Sequence, residues 1–297
     1  IKAGTPYFQL GRMFPGVKIE AFSSNYELYG ELTGRVMTII RDMAPECFRY
    51  SIDEAFAVLD GFDVDELHEW GVALHDRVMQ SVGMPVSIGI APTKTMAKMA
   101  SHYAKKYAGY GHCCVIDTEE RRIKAEQLYP IGEVWGIGRR YQARLESMGI
   151  RTAYDFASHA RSWVSATFRT VIMERTWAEL NGVDCIPDDI PAKKKSVCTS
   201  RSFRDMTSDF DTLHTHIANF AARCAEKARR QRSVATVVGV FVDTNHFRTD
   251  LTQYWNMTEQ TLRMPSASTI EIVKAATACL KRIYRADVMY KKAGVIL

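Results

Sequence analysis

Asp53 and Glu54 are adjacent carboxylates within Tyr50-Ser51-Ile52-Asp53-Glu54-Ala55, flanked by apolar, strand-like residues. Neighbours on a regular strand point to opposite faces, so both acids serve one site only if the backbone turns between them. A tight strand-to-strand turn does that. Carboxylates gathered at a strand end suit Mg2+, which takes one or two of them together with water and substrate phosphates. The plainer alternative is an exposed acidic hairpin turn. A second segment runs from Ser87-Ile88-Gly89-Ile90 through Ala91-Pro92-Thr93 into Lys94, Lys98 and Lys105. It predicts a buried strand, a small-residue turn and a lysine-bearing helix. Helix N-termini and ammonium groups both attract phosphate. Lys94, Lys98 and Lys105 fall at spacings of four and seven and share a face. A solvated lysine face is the competing account. A third segment, Val134-Trp135-Gly136-Ile137-Gly138-Arg139-Arg140 followed by Leu145-Glu146-Ser147-Met148-Gly149-Ile150, carries a helix-hairpin-helix signature. Its glycines permit a tight turn, and the free N–H groups of the second helix can grip a DNA phosphate without reading bases. A plain helical hairpin is the alternative there.

The elements that must position these residues follow from periodicity. Tyr29, Leu32, Val36, Ile39, Ile40 and Met43 predict an amphipathic helix over residues 25–43. Two short strand-like runs flank the acidic pair, helix signals return over 64–82, and 84–92, 93–108 and the HCCVID run read as strand, helix and strand. That alternation predicts an α/β or α+β layer with a mixed sheet. Short basic helical pieces occupy 119–185, and CIPDDIPAKKK reads as a linker. The remainder predicts strand 197–204, helix 209–232, strand 234–243, strand 256–263, helix 269–284 and strand 290–297. This βαββαβ order is a ferredoxin-like split arrangement with both helices on one face.

Charge divides along the same line. The whole chain is +5, but residues 191–297 carry 18 Lys and Arg against 9 Asp and Glu, and the first 190 residues carry 21 against 25. A basic module on a weakly acidic body points to a polyanion partner or to a solvated basic surface. With 46% hydrophobic and 25% charged residues, the composition excludes disordered and low-complexity chains. No apolar run reaches the roughly 20 residues of a membrane span. Seven cysteines with no CxxC pair predict reduced thiols in a cytoplasmic protein. Cys113 and Cys114 point to opposite faces of a strand, and the His214/His216 spacing separates them on a helix, so neither pair predicts a metal site.

Taken together, these motifs resemble the Y-family translesion DNA polymerases, with the UmuC-type branch the nearest match. YSIDEA resembles the second catalytic carboxylate motif, SIGIAPTKTMAKMASHYAKK the palm strand and helix, and VWGIGRRYQARLESMGI the thumb hairpin. SRSFRDMTSDFDTL and YKKAGVIL resemble the opening and closing strands of the little finger. The resemblance spans essentially the whole chain. It implies an α+β multi-domain architecture: a fingers remnant at 1–20, an incomplete palm at 21–118, a helix-hairpin-helix thumb at 119–186, a linker at 187–195 and a βαββαβ little finger at 196–297.

The resemblance also implies error-prone, templated, Mg2+-dependent nucleotidyl transfer past damaged bases in SOS damage tolerance, with primer-template DNA and dNTP as substrates. It assigns Asp53 and Glu54 to catalysis and metal binding, Lys105 to the nucleotide triphosphate, and Gly136, Ile137, Gly138 and Arg139 to a DNA phosphate. Arg201 and Arg204 go to the DNA backbone. A processed UmuD-like protein, a RecA filament and a sliding clamp are the partners it implies. The family's first acidic strand and the fingers' tyrosine and arginine have no counterpart here, and Ile1 falls mid-domain. The chain is therefore expected to be a fragment lacking one ligand of a two-metal site, with little or no activity alone. The alternative is a non-catalytic DNA-binding relic or accessory subunit. A nucleotide cyclase on a similar palm is a weaker reading, since it needs neither the hairpin nor the basic module.

Overall fold

A computed structural model of the chain describes residues 1, 4–188 and 195–297. The chain forms two compact units, Ile1–Ile190 and Pro191–Leu297. Of the linker expected at 187–195, residues 189–194 lie outside the described set.

The first unit opens on α1 (Tyr7–Met13) and α2 (Tyr26–Met43). The Asn25 side chain caps α2 by accepting from the Leu28 N–H at 3.1 Å. The buried stripe of α2 is Thr33, Val36 and Met37, while Tyr29, counted into the apolar face by spacing, stays 42% exposed. Val36 packs with Leu74 and Val78 of α3 (Leu67–Val82), which ends at Gly83 in the left-handed region, φ +71°. Between these helices lies an antiparallel hairpin, β1 (Glu46–Arg49) and β2 (Ala55–Val58), in register from Glu46↔Val58 to Arg49↔Ala55.

A parallel pair comes next. β3 (Ile88–Ile90) runs beside β4 (Cys113–Val115), and α4 (Lys94–Lys106) makes the crossover that parallel neighbours require. Gly89 lets the helix lie directly on the strand, since a Cβ there would sit 2.0 Å from the Ala97 carbonyl oxygen. The expected mixed sheet does not form: among the described residues, β1–β2 and β3–β4 are separate two-stranded sheets. Alternating strands and helices dictate layers, but which strand edges bond depends on long-range packing. Five helices follow: α5 (Glu119–Leu128), α6 (Arg139–Ser147), α7 (Ala153–Ala157), α8 (Arg161–Phe168) and α9 (Val171–Leu180). Met99, Tyr103 and Cys114 share one continuous core with Leu145, Phe156 and Leu180. Helix α4 thus belongs both to the sheet layer and to the helical region after it.

The second unit has the predicted βαββαβ order: β5 (Cys198–Thr207), α10 (Phe210–Arg230), β6 (Ala235–Thr244), β7 (Trp255–Ser266), α11 (Thr269–Ile283) and β8 (Tyr290–Ile296). The sheet order is β5-β8-β6-β7, every pair antiparallel. Each crossover joins strands with a third strand between them, the split arrangement. The predicted stripe of α10, Leu213, Ile217, Phe220, Cys224 and Ala228, is buried, and it meets Val238, Val240 and Val242 on the helix side of the sheet. Among the described residues no helix is long and apolar enough to cross a membrane.

Candidate active site

The β1–β2 turn settles the problem posed by adjacent acids. The Tyr50 and Ser51 N–H groups both donate to the Glu54 carbonyl oxygen, at 3.0 and 3.1 Å, which folds the loop tightly. The Ser51 hydroxyl donates to Asp53 Oδ1 at 2.7 Å and lies 3.5 Å from Glu54 Oε2, so a single hydroxyl meets both carboxylates. The Asp53 N–H donates back to Ser51 Oγ at 3.3 Å, and Arg49 Nε donates to the Ser51 carbonyl at 3.1 Å. Both acids are exposed. Alternation on a strand would have separated them; the turn brings them to one edge.

The lysines of α4, by contrast, part company. Lys98 Nζ donates to Glu54 Oε1 at 2.6 Å. Lys94 turns away, donating to the Ile186 carbonyl at 2.8 Å and pairing with Asp184 and Asp188 at 3.3 and 3.2 Å. Burial works against the charge on Lys94, but the hydrogen bonds it donates to Asp188 and Asp184 outweigh it and hold the ammonium above its ordinary range. Lys105 is exposed and stands seven residues beyond Lys98, roughly 10 Å along the helix at about 1.5 Å per residue. The shared face inferred from spacing therefore serves different partners. Tertiary structure, which brings the β1–β2 turn to one lysine and the segment after α9 to another, decides which.

At the thumb-like hairpin the two glycines differ. Gly136 has φ +92°, and a Cβ there would lie 2.6 Å from Thr176 Oγ1, so both backbone and space require glycine. Gly138 has an ordinary φ of −83° and open space around it; as N-cap of α6 it leaves the first N–H groups of that helix without a side-chain cap. Ile137 is an anchor: the residue is 6% exposed and its N–H donates to the Val134 carbonyl at 3.0 Å. Arg139 is exposed at the first position of α6. Trp135, which the motif passed over, packs against Tyr50 and Phe56 at ring distances of 5.3 and 5.7 Å. An indole beside a G-x-G turn is the sequence signal for such an anchor, but nothing local says what it meets.

In the second unit, Arg201 and Arg204 are both exposed on the edge strand β5. Arg201 lies in the regular ladder opposite Ala293, whereas Arg204 lies where the register slips between Ser202 and Thr207. Lys291 Nζ secures that irregular stretch by donating to the Phe203 carbonyl at 2.5 Å and the Arg204 carbonyl at 3.1 Å.

The donor set at the β1–β2 turn suits a hard cation. It offers two exposed carboxylates held by one hydroxyl, the oxygen ligands that Mg2+ accepts alongside water and phosphate. Among the described residues no group of three or more His, Cys, Asp or Glu side chains is placed to enclose a metal.

The impB/mucB/samB family model matches residues 1–102, and the model of that family's C-terminal domain matches residues 194–297. Protein UmuC of Salmonella typhimurium is 36% identical over all of this chain and 71% of its own length. Protein MucB of Escherichia coli is 35% identical with the same coverage. DNA polymerase IV of Dehalococcoides mccartyi is 26% identical over 97% of this chain and 70% of its own length. Among solved structures, a Y-family DNA polymerase chimera built on Dbh superposes with a TM-score of 0.71 at 18% identity, covering 100% of this chain and 83% of its own. An insertion ternary complex of Dbh DNA polymerase gives 0.60 at 17% identity, with the same coverage. The fold is that of the DNA polymerases it superposes on. The chain belongs to the impB/mucB/samB family, the UmuC-type branch of the Y-family DNA polymerases.

Proposed function

We propose that this protein is an error-prone translesion DNA polymerase that adds dNTPs to a primer opposite damaged template bases during SOS damage tolerance. The observation that carries this is the β1–β2 turn, where Ser51 gathers Asp53 and Glu54 at one exposed edge beside a lysine-bearing helix. The names of the relatives, UmuC and DNA polymerase IV, support the same chemistry. When bound, two Mg2+ ions supply activation of the primer 3′ oxygen and charge neutralisation on the departing pyrophosphate. Asp53 would hold metal, with Glu54 beside it as the second acid. Lys105 would hold the triphosphate. The uncapped N–H groups at Gly138 and Arg139 would grip one DNA phosphate, with Gly136 and Ile137 shaping the turn beneath them. Arg201 and Arg204 would lie along the duplex backbone.

In this proposal residues 1–20 end the fingers, 21–118 build the palm, 119–186 the thumb, 187–195 the linker and 196–297 the little finger. The compartment is the cytoplasm. A processed UmuD-like protein, a RecA filament and a sliding clamp are partners that family likeness alone suggests.

Primer extension by the gene-length protein decides the matter. Template-directed, Mg2+-dependent extension is expected. Tight primer-template binding with no extension in Mg2+ or Mn2+ would select the non-catalytic DNA-binding reading instead. The arginines give an independent result. Arg201→Ala with Arg204→Ala should lower the slope of log K against log salt by up to about two, since each phosphate contact contributes roughly 0.9. An unchanged slope returns both to the solvated surface.

A further inference from the structure

Glu54 does not hold Lys98 alone. The Lys98 ammonium lies 5.2 Å from the centroid of the Tyr50 ring and 5.4 Å from that of Trp135. Trp135 Nε1 donates to Tyr50 Oη at 3.3 Å, and the two rings meet edge to face at 5.3 Å. Phe56 closes the cluster at 5.7 Å from each ring. An ammonium in this position is attracted to two π faces as well as to a carboxylate. The walls matter because a lysine stem has much rotamer freedom to lose when its head is fixed. Lys98 Nζ takes Glu54 Oε1 while Ser51 faces Oε2, so the caged ammonium sets both the orientation of Glu54 and how much of its charge remains for a cation. Trp135 belongs to the turn leading into α6, and Tyr50 and Phe56 belong to the acidic hairpin. The cage therefore joins the element proposed to hold a DNA phosphate to the element proposed to hold metal.

We propose that Trp135 and Tyr50 are positioning residues for the carboxylate turn: they wall in Lys98, which fixes Glu54. This rests on the polymerase reading of the same site. The test combines steady-state primer extension by the gene-length protein with the indole N–H spectrum of the protein without DNA. Trp135→Leu should lower kcat roughly tenfold while leaving the dNTP KM and DNA affinity within about twofold. In a Lys98→Ala background the same change should cost nothing further, because Trp135 acts through Lys98. Trp135→Phe, which keeps a ring face, should recover most of the rate. Five tryptophans make the indole peaks assignable, and the Trp135 peak should move in Lys98→Ala while the others stay.

Equal losses in both backgrounds, or a parallel fall in DNA affinity, would place Trp135 in general folding or DNA binding and overturn the proposal. So would an unmoved Trp135 indole peak in Lys98→Ala, a result that does not depend on Trp135→Leu folding. A wild-type protein that extends no primer would remove the polymerase reading, and the indole spectrum would still decide whether the cage exists.

Discussion

Asp53→Ala is expected to abolish most nucleotide incorporation while leaving primer-template affinity almost untouched. Asp53 is exposed, and its contacts with Ser51 lie within the turn. Its removal leaves no buried group unpaired and opens no cavity, so the fold has little to lose. What disappears is a hard oxygen ligand where the donor set suits Mg2+. Loss of metal-assisted charge stabilisation worth about 3–4 kcal/mol corresponds to a fall of several hundredfold in rate. Glu54→Ala should act in the same direction and also release Lys98 from its 2.6 Å contact. Single-nucleotide incorporation and DNA binding, measured on the same preparations, check this. A parallel fall in both would move Asp53 out of catalysis and into the fold or the DNA interface.

Glu179→Ala is expected to produce the largest loss of stability. Glu179 is fully buried on α9, and its carboxylate accepts three backbone N–H groups: Thr95 at 2.9 Å, Cys185 at 3.0 Å and Ile186 at 3.1 Å. Its own carbonyl accepts from Thr93 Oγ1 at 2.9 Å, so one residue ties the start of α4 to α9 and to the segment that follows. Alanine would strand those donors away from water, at about 1–3 kcal/mol each, for a total of about 3–5 kcal/mol after relaxation. Glu179→Gln keeps an acceptor but points an N–H2 group at other donors, and should lose about half as much. Urea unfolding should show a lower midpoint with an unchanged slope for the first unit. A loss below about 1 kcal/mol would mean that solvent reaches these groups in the native state. Activity should fall along with stability here, in contrast to Asp53→Ala, where only activity falls.

The division between local and distant information runs through particular residues. The little-finger order was legible because each strand and helix in it carries its own period, and the α10 stripe from Leu213 to Ala228 is buried as its spacing requires. The paired acids were legible as a turn because two strand-like runs flank them. The partition of Lys94 and Lys98 was not legible: one helix face presents both, and the choice between Asp184 and Glu54 belongs to segments far away in sequence. Nor was the difference between Gly136 and Gly138. A left-handed φ and Thr176, forty residues on, make the first indispensable. The mixed sheet failed for the same reason, since strand pairing is a property of edges that meet after folding.

By itself, the sequence determined the element types, the basic character of the last third, the acidic turn and the family likeness. These follow from side-chain period, charge and residue identity, all of them local. The tertiary structure alone decided that Ser51 gathers both carboxylates, that Lys98 rather than Lys94 answers them, and that Trp135 closes over that lysine. A hydrogen bond or a ring contact depends on ångström distances between segments up to 92 residues apart, and no local pattern encodes such distances.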